Sequence, residues 1–172
     1  MAVAGEIAFE RQLLRDGILD EARLAKARQD AASRGVALPE ALVQAGMATA
    51  EAVYRSLADF CEMRFVSPSK MEIPVDVVSK VPARFATHYN FVPVQERNGT
   101  IVVAVSDPLN HQLLDDIRLV LKKQRVEIVV ATPDEISRAK KSIYDVGADK
   151  VERILSESDR VANAVSLDSG SE

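Results

Sequence analysis

The sequence predicts an α+β fold, with an N-terminal four-helix tandem-repeat unit followed by a small three-stranded α/β domain whose helices pack on the sheet. Two observations predict it. Two N-terminal segments match each other at a shift of 29 residues, and an Asn98-Gly99 turn separates an alternating segment from an apolar one. The chain has 172 residues, 47% of them hydrophobic, which suffices for one ordinary domain or two small ones. We expect the repeat unit in residues 1–65, the α/β domain in 66–147, and a helix with an acidic, flexible tail in 148–172.

The tandem repeat is defined by matched apolar, glycine and helix-capping positions. At the 29-residue shift, Leu13 aligns with Leu42, Gly17 with Gly46, and Asp20 with Thr49. Each glycine lies where a helix should end, since glycine adopts the left-handed conformation without a Cβ clash. Asp20 and Thr49 are good N-caps for the helices that follow. Each copy therefore predicts a helix, a glycine stop and a capped helix, and two copies must pack together to bury their apolar faces.

The α/β domain follows in a series of short elements. Pro74 and Pro82 suit the first turns of helices at residues 75–80 and 83–89. Strands are predicted at 91–96 and 100–105 around the Asn-Gly turn, then a helix at 110–122 and a buried strand at 126–131. Thr132 caps a final helix that begins at Pro133 and runs to about residue 144, with Glu135 completing a capping box. A further helix is predicted at 149–161, and residues 166–172 are polar enough to remain disordered.

Composition argues against several kinds of partner. The net charge is −4 with both signs interspersed, so the chain offers no large cationic surface for nucleic acid or anionic lipid. Its apolar runs are far shorter than the roughly 18 residues needed to span a bilayer, and its N-terminus does not read as a secretory signal. We therefore expect a cytoplasmic protein without direct membrane insertion. Cys61 is the single cysteine, which excludes an intramolecular disulfide.

No catalytic constellation is evident. The phosphate loop of an ATPase needs Gly-Lys-Ser or Gly-Lys-Thr, which the sequence does not contain. His88 and His111 are 23 residues apart without a third ligand in register, so we predict no metal site. Asp115 and Asp116 are neighbours on a helix and point about 100° apart, which fits a solvated face better than acid-base work. We predict no catalytic residue, no cofactor and no enzymatic activity.

A series of short segments carries a resemblance to a known family. Ile73-Pro74 and Val81-Pro82 open short helices, Tyr-Asn-Phe-Val-Pro-Val at 89–94 enters the hairpin, and Val-Ala-Val-Ser-Asp-Pro-Leu-Asn at 103–110 leaves it. In this order they resemble the N-terminal domain that precedes the motor in type II secretion and type IV pilus assembly ATPases. The repeat before them resembles the helical module that binds cyclic-di-GMP in many of these ATPases. The two resemblances cover nearly the whole ordered chain.

The resemblance also shows where this repeat departs from its family. The family's copies open with Arg-Leu-Gly and close with glutamine. Here residues 8–10 read Ala-Phe-Glu, residues 37–39 read Ala-Leu-Pro, and the closing positions hold Ala31 and Phe60. Losing both arginines removes strong charge-assisted hydrogen bonds, so we expect this chain not to bind cyclic-di-GMP. The remaining candidates for ligand contact are the skeleton positions Leu13, Gly17, Leu42 and Gly46.

The resemblance implies an adaptor function. We expect a non-catalytic N-terminal module, supplied without the motor, that docks on the cytoplasmic part of an inner-membrane secretion or pilus platform protein, or on an ATPase motor. Through that partner it would be recruited to the inner membrane. Two alternatives stay open: a sensor that holds a cyclic dinucleotide in the groove of the repeat, and a stand-alone signalling or polarity adaptor.

Overall fold

The N-terminal part of the molecule is a four-helix repeat, seen in a computed structural model that describes residues 4–122 and 125–145. Its helices are α1 (Ala4–Arg15), α2 (Glu21–Arg34), α3 (Leu38–Gln44) and α4 (Ala50–Phe60). Asp20 caps α2 by accepting a hydrogen bond from the amide of Arg23, and Thr49 caps α4 in the same way. Gly17 and Gly46 both have positive φ angles, of 69° and 68°. The predicted helix, glycine stop and capped helix of each copy is confirmed.

The two copies share one apolar core. Phe9 and Leu13 of α1 pack with Leu24 of α2, Leu42 of α3 and Leu57 of α4, and all five are at least 99% buried. A polar link also joins α1 to α4, because the buried Ser56 hydroxyl donates to Asp16 at 3.0 Å and accepts from Gln12 at 3.2 Å. The copies therefore form a single packed unit, as expected for amphipathic helices that cannot bury their faces alone.

The second part is a sheet of three strands with helices on both faces. After a 3₁₀ turn at Pro68–Lys70 come α5 (Val75–Ser79), α6 (Ala83–His88), β1 (Phe91–Arg97) and β2 (Thr100–Val105). They are followed by α7 (His111–Val120), β3 (Arg125–Val130), α8 (Pro133–Lys140) and a π-helical turn at Lys141–Asp145. The predicted α+β class, with a small three-stranded sheet, is confirmed.

The strands lie in the order β1-β2-β3. β1 and β2 are antiparallel, with Phe91 opposite Val105, and β2 and β3 are parallel. Asn98 and Gly99 have φ angles of 49° and 75°, the two positive values that a tight hairpin turn with this twist requires. The hairpin predicted from the Asn-Gly pair is confirmed.

Each face of the sheet has its own apolar core. Phe91, Val103 and other residues on one face pack against α5, α6 and α7. Val92 and Ala104, on the other face, pack against Ile136 of α8. All of these side chains are fully buried. Because both faces are covered, β2 is apolar on both sides, which explains its continuous run of valine, isoleucine and alanine.

The repeat and the sheet are joined through the segment after α4. Phe65 forms a parallel bridge with Val130 at the end of β3, and the amide of Val130 donates to the carbonyl of Arg64 at 2.9 Å. Val130 also belongs to the core of the repeat, and Arg64 forms an ion pair with Glu127 at 2.9 Å. A domain boundary near Phe65 stays a prediction, and it falls on a residue that contacts both parts.

Two details of the last helix differ from prediction. Thr132 caps α8 by accepting from the amide of Glu135, but the carboxylate of Glu135 accepts from the amide and hydroxyl of Ser69 at 3.1 and 2.6 Å. The reciprocal half of the predicted capping box is therefore wrong, because a tertiary partner binds the carboxylate. The α-helix also ends at Lys140, and the chain continues as a π turn. The predicted helix at 149–161 and the tail at 166–172 lie outside the described residues.

Within residues 4–122 and 125–145, no helix combines the length and the apolar character needed to cross a bilayer.

Candidate functional site

Two surface grooves lie on the helical repeat. The first, called here the α1–α4 groove, has a volume of about 510 Å³ and is lined by Ala8, Arg11, Leu14, Arg15 and Phe60. The second, called the α2–α3 groove, has a volume of about 670 Å³ and is lined by residues of α1, α2 and α3 and of the segment between α2 and α3. Its walls include Glu6, Glu10, Arg28, Ala31 and Ala37. Both are open surface grooves of the size that holds small organic ligands.

The grooves are related by the internal repeat. In the α1–α4 groove, Ala8 lies beside Phe60. Ala8 is the first motif position of the first copy, and Phe60 is the last motif position of the second copy. The α2–α3 groove brings Ala31, at the close of the first copy, beside Ala37, at the opening of the second. The 29-residue shift aligns Ala8 with Ala37 and Ala31 with Phe60. Each groove therefore lies between the first motif position of one copy and the last motif position of the other. Only folding of the repeat brings these positions together.

An ion pair with a buried carboxylate and an exposed guanidinium lies in the α2–α3 groove. The Nε atom of Arg28 donates to one carboxylate oxygen of Glu10 at 3.0 Å, and a second guanidinium nitrogen donates to the other oxygen. The Glu10 side chain is only 6% exposed, whereas that of Arg28 is 54% exposed. The hydrogen bond to Glu10 raises the pKa of Arg28 above its ordinary value. The guanidinium thus covers the carboxylate, and each largely neutralises the other.

The α1–α4 groove is cationic. Arg11 and Arg15 lie one helical turn apart on α1, where residues four apart share a face. Both are exposed, and neither side chain forms an ion pair or hydrogen bond with another described residue. No carboxylate is among the residues that line this groove. The two guanidinium groups are therefore available to an anion.

The four candidates named from the sequence occupy the frame of the repeat. Leu13 and Leu42 are completely buried in its core. Gly17 and Gly46 form the turns after α1 and α3, and a Cβ added to either would meet no atom within 4 Å. None of the four lines either groove. Sequence reasoning missed Arg11, Arg15 and Arg28, although the spacing of the first two on one face of α1 was a usable signal.

Other residues considered from the sequence have ordinary surroundings. The ring of His88 packs edge-on against Tyr89 with centroids 4.6 Å apart. Asp115 accepts from Arg118 at 3.3 Å, and Asp116 accepts from Gln112 at 2.9 Å. No group of three metal-ligating side chains was found in the part of the chain that the structure describes.

Comparison with known proteins matches the part of the chain that follows the repeat to a family model. Residues 61–149 match the model of the MshEN domain. The type IV pilus assembly ATPase PilB of Myxococcus xanthus (strain DK1622) is 27% identical in an alignment of 148 residues, and the match covers 83% of this chain and 25% of that protein. The chain thus spans about a quarter of the length of the curated pilus ATPases that it matches.

Two solved structures share the fold. A structure of MshE with cdg (cyclic-di-GMP) superposes with a TM-score of 0.72 at 20% identity, covering 79% of this chain and 98% of that one. The N-terminal domain of XpsE superposes with a TM-score of 0.66 at 22% identity, covering 82% of this chain and 96% of that one. The predicted resemblance to the N-terminal region of secretion and pilus ATPases is confirmed.

One expectation is overturned by these findings. The sequence argued against cyclic-di-GMP as a partner, and this is wrong, because a protein with the same fold is solved with that nucleotide. That expectation considered only the Arg-Leu-Gly openings and the closing glutamines as sources of ligand contacts. The folded repeat instead brings Arg11 and Arg15 to the α1–α4 groove from positions outside that motif.

Proposed function

Because the chain belongs to the MshEN domain family, we propose that it is a non-catalytic docking module that couples a type IV pilus or type II secretion ATPase to the cytoplasmic part of its inner-membrane platform. The observation that carries the proposal is the likeness to a pilus assembly ATPase, which extends over both the helical repeat and the sheet. No Gly-Lys-Ser or Gly-Lys-Thr phosphate loop occurs in the 172 residues, so this stretch contributes contacts and not hydrolysis.

The outer surface of the helices on one sheet face is the proposed contact. Val75 begins α5 and is 70% exposed, and Leu119 near the end of α7 is 67% exposed. These are the two most exposed large apolar side chains among the described residues. Both helices pack on the same face of the sheet. Exposed apolar residues on a folded layer suit contact with a protein partner better than contact with water.

The test is a binding measurement between the purified chain and the purified cytoplasmic domain of the platform protein from the same organism. Val75→Glu and Leu119→Glu should each weaken binding, because a carboxylate would be buried at the contact. Arg138→Ala on α8 is the matched control. It changes the net charge by the same amount on the opposite face of the sheet. If all three variants bind the platform domain as tightly as the wild type does, the contact lies elsewhere on the chain. If the wild type does not bind at all, the docking proposal is contradicted.

A second candidate function is a cyclic-di-GMP sensor. It is favoured by the paired grooves of the repeat and by the solved structure of MshE with that nucleotide. In this proposal Leu13, Gly17, Leu42 and Gly46 hold the frame and the groove residues contact the ligand. Titration calorimetry of the chain with cyclic-di-GMP tests it, with cyclic-di-AMP as the control for base specificity. Absence of heat at high micromolar ligand would rule out a physiological sensor and leave the docking role in place.

The same two measurements address the third reading, a stand-alone signalling adaptor. A chain that retains neither platform binding nor nucleotide binding would have kept the fold without either family property. A positive result with a secretion platform or with a pilus platform would also assign the branch of the family, which the likeness to both PilB and XpsE leaves open.

A further inference from the structure

The two grooves differ in the cations that they offer to a ligand. Arg11 and Arg15 give the α1–α4 groove two cations and no lining carboxylate. The α2–α3 groove contains Glu6 and Glu10, and its one arginine is already bound by Glu10. The chain as a whole has a net charge of −4, so a groove with two unopposed cations is a local feature. An anionic ligand is therefore attracted to the α1–α4 groove, whereas the only arginine that lines the α2–α3 groove is already bonded to a carboxylate.

The asymmetry extends to the matched helices of the repeat. At the 29-residue shift, Arg11 of α1 aligns with Glu40 of α3, and Arg15 aligns with Gln44. Gln44 donates to Glu40 at 2.7 Å and accepts from the guanidinium of Arg34. The second copy therefore has a carboxylate and an amide, already bonded to neighbours, where the first copy has two available guanidinium groups.

The α1–α4 groove also offers an aromatic surface. Phe60 is half-buried, and its ring packs against that of Phe9, with the centroids 5.7 Å apart and the ring planes at 52°. A planar base can stack on such a ring, while guanidinium groups one turn apart can each donate to phosphate oxygens. A groove of about 510 Å³ has room for one nucleoside phosphate. Cations and an aromatic ring at one groove are the features that recognise this class of ligand.

We infer that nucleotide binding by this chain is one-sided. The α1–α4 groove takes a nucleoside phosphate, with Arg11 and Arg15 on the phosphate and Phe60 against the base, and the α2–α3 groove takes no anion. This deepens the sensor candidate proposed above and rests on it. A one-sided site needs only half of a cyclic dinucleotide, so 5′-GMP should bind in the same groove as cyclic-di-GMP.

The experiment is calorimetry with cyclic-di-GMP, 5′-GMP and inorganic phosphate on four forms of the full chain. The wild type is compared with Arg11→Ala/Arg15→Ala, with the control Arg23→Ala/Lys26→Ala on α2, and with Ala37→Trp. The first two double variants remove the same charge from exposed helical positions, but Arg23 and Lys26 line neither groove. Ala37→Trp fills the α2–α3 groove from an exposed position. Thermal melting of each form checks that the repeat remains folded.

The expected result is a loss of at least about tenfold in affinity for both nucleotides in Arg11→Ala/Arg15→Ala, since hydrogen bonds from charged donors are lost. The control and Ala37→Trp should stay within about twofold of wild type. Cyclic-di-GMP should displace 5′-GMP, and inorganic phosphate should bind more weakly than 5′-GMP because it has no base to stack.

Two results would overturn the inference and leave different parts of the proposed function standing. If Ala37→Trp weakens cyclic-di-GMP binding as much as the loss of Arg11 and Arg15, both grooves hold the ligand, and the sensor role stands without the one-sided site. If the wild type binds no nucleotide, the sensor role fails as well. Docking to the platform protein is measured separately and is unaffected by either result.

Discussion

Removing Arg28 should destabilise the repeat through the carboxylate that it leaves behind. Two hydrogen bonds join its guanidinium to Glu10, whose side chain is only 6% exposed. Exposed ion pairs contribute up to about 1 kcal/mol, and breaking a fully buried pair costs about 3–5 kcal/mol. With Arg28 itself 54% exposed, water can partly replace it, so we expect Arg28→Ala to lower the free energy of unfolding by about 1–3 kcal/mol.

The assay is urea denaturation of Arg28→Ala, Glu10→Ala and the double variant, which together form a double-mutant cycle. Removing both partners should restore part of the stability lost in Arg28→Ala, because no buried carboxylate remains unpaired. We expect a coupling free energy of about 1–2 kcal/mol between the two residues. Arg23→Ala is the control. Its ion pair with Asp20 is long, at 3.9 Å, and both side chains are at least 60% exposed.

The reasoning would be refuted by a coupling free energy no larger than about 0.5 kcal/mol, the size seen for exposed helical pairs. That result would mean that the Glu10 carboxylate is solvated in solution and that Arg28 does not cover it. The α2–α3 groove would then be more open than its geometry indicates, and the charge of Glu10 would be less neutralised by Arg28.

Four further predictions concern the frame of the molecule. Leu42→Ala should cost about 2–5 kcal/mol of unfolding free energy in urea denaturation, because Leu42 is completely buried, and an unchanged midpoint would contradict its place in the core. Gly46→Ala should cost only about 1–2 kcal/mol in the same assay, because only its left-handed backbone is strained and no atom lies near the new Cβ. Hydrogen bonds from Ser69 hold the pKa of Glu135 below its ordinary 4.5, so they stabilise the fold above that pH and this contribution is lost as the pH falls through the lowered pKa. Ser69→Ala should therefore be less stable than wild type at pH 7, and the difference should shrink near pH 3, whereas a constant difference would show that Glu135 is not involved. Burial raises the pKa of Tyr144 to about 12, and its hydroxyl donates to a backbone carbonyl at 3.0 Å, so Tyr144→Phe should cost about 1 kcal/mol at pH 7 with no pH dependence up to pH 9.

Local signals predicted most of the fold. Asp20, Thr49 and Thr132 each bond an amide three residues ahead, so a cap can be read from a few consecutive letters. The Asn98-Gly99 pair likewise specifies its own backbone angles. Element ends were less accurate, as at Lys140, because the α-helix there gives way to a π turn for which the sequence offers no distinct residue.

The candidate site was predicted less well. The sequence singled out Leu13 and Leu42 because they repeat, but residues that repeat for packing reasons are buried and cannot line a groove. The groove residues Arg11 and Arg28 do not repeat, so the self-comparison that found the module passed over them. A search for charged residues on the outer faces of the predicted helices would have found Arg11 and Arg15.

By itself the sequence determined the helices, the hairpin, the repeat and the family, because each depends on residues a few positions apart or on a pattern along the chain. Only the tertiary structure decided that Glu10 meets Arg28, that Glu135 turns from its own helix to Ser69, and that Ala8 lies beside Phe60. Those contacts join residues 18, 66 and 52 positions apart. Contacts between residues so far apart in the sequence depend on how the helices and the sheet pack. Many sequences with the same local pattern can pack their polar side chains differently.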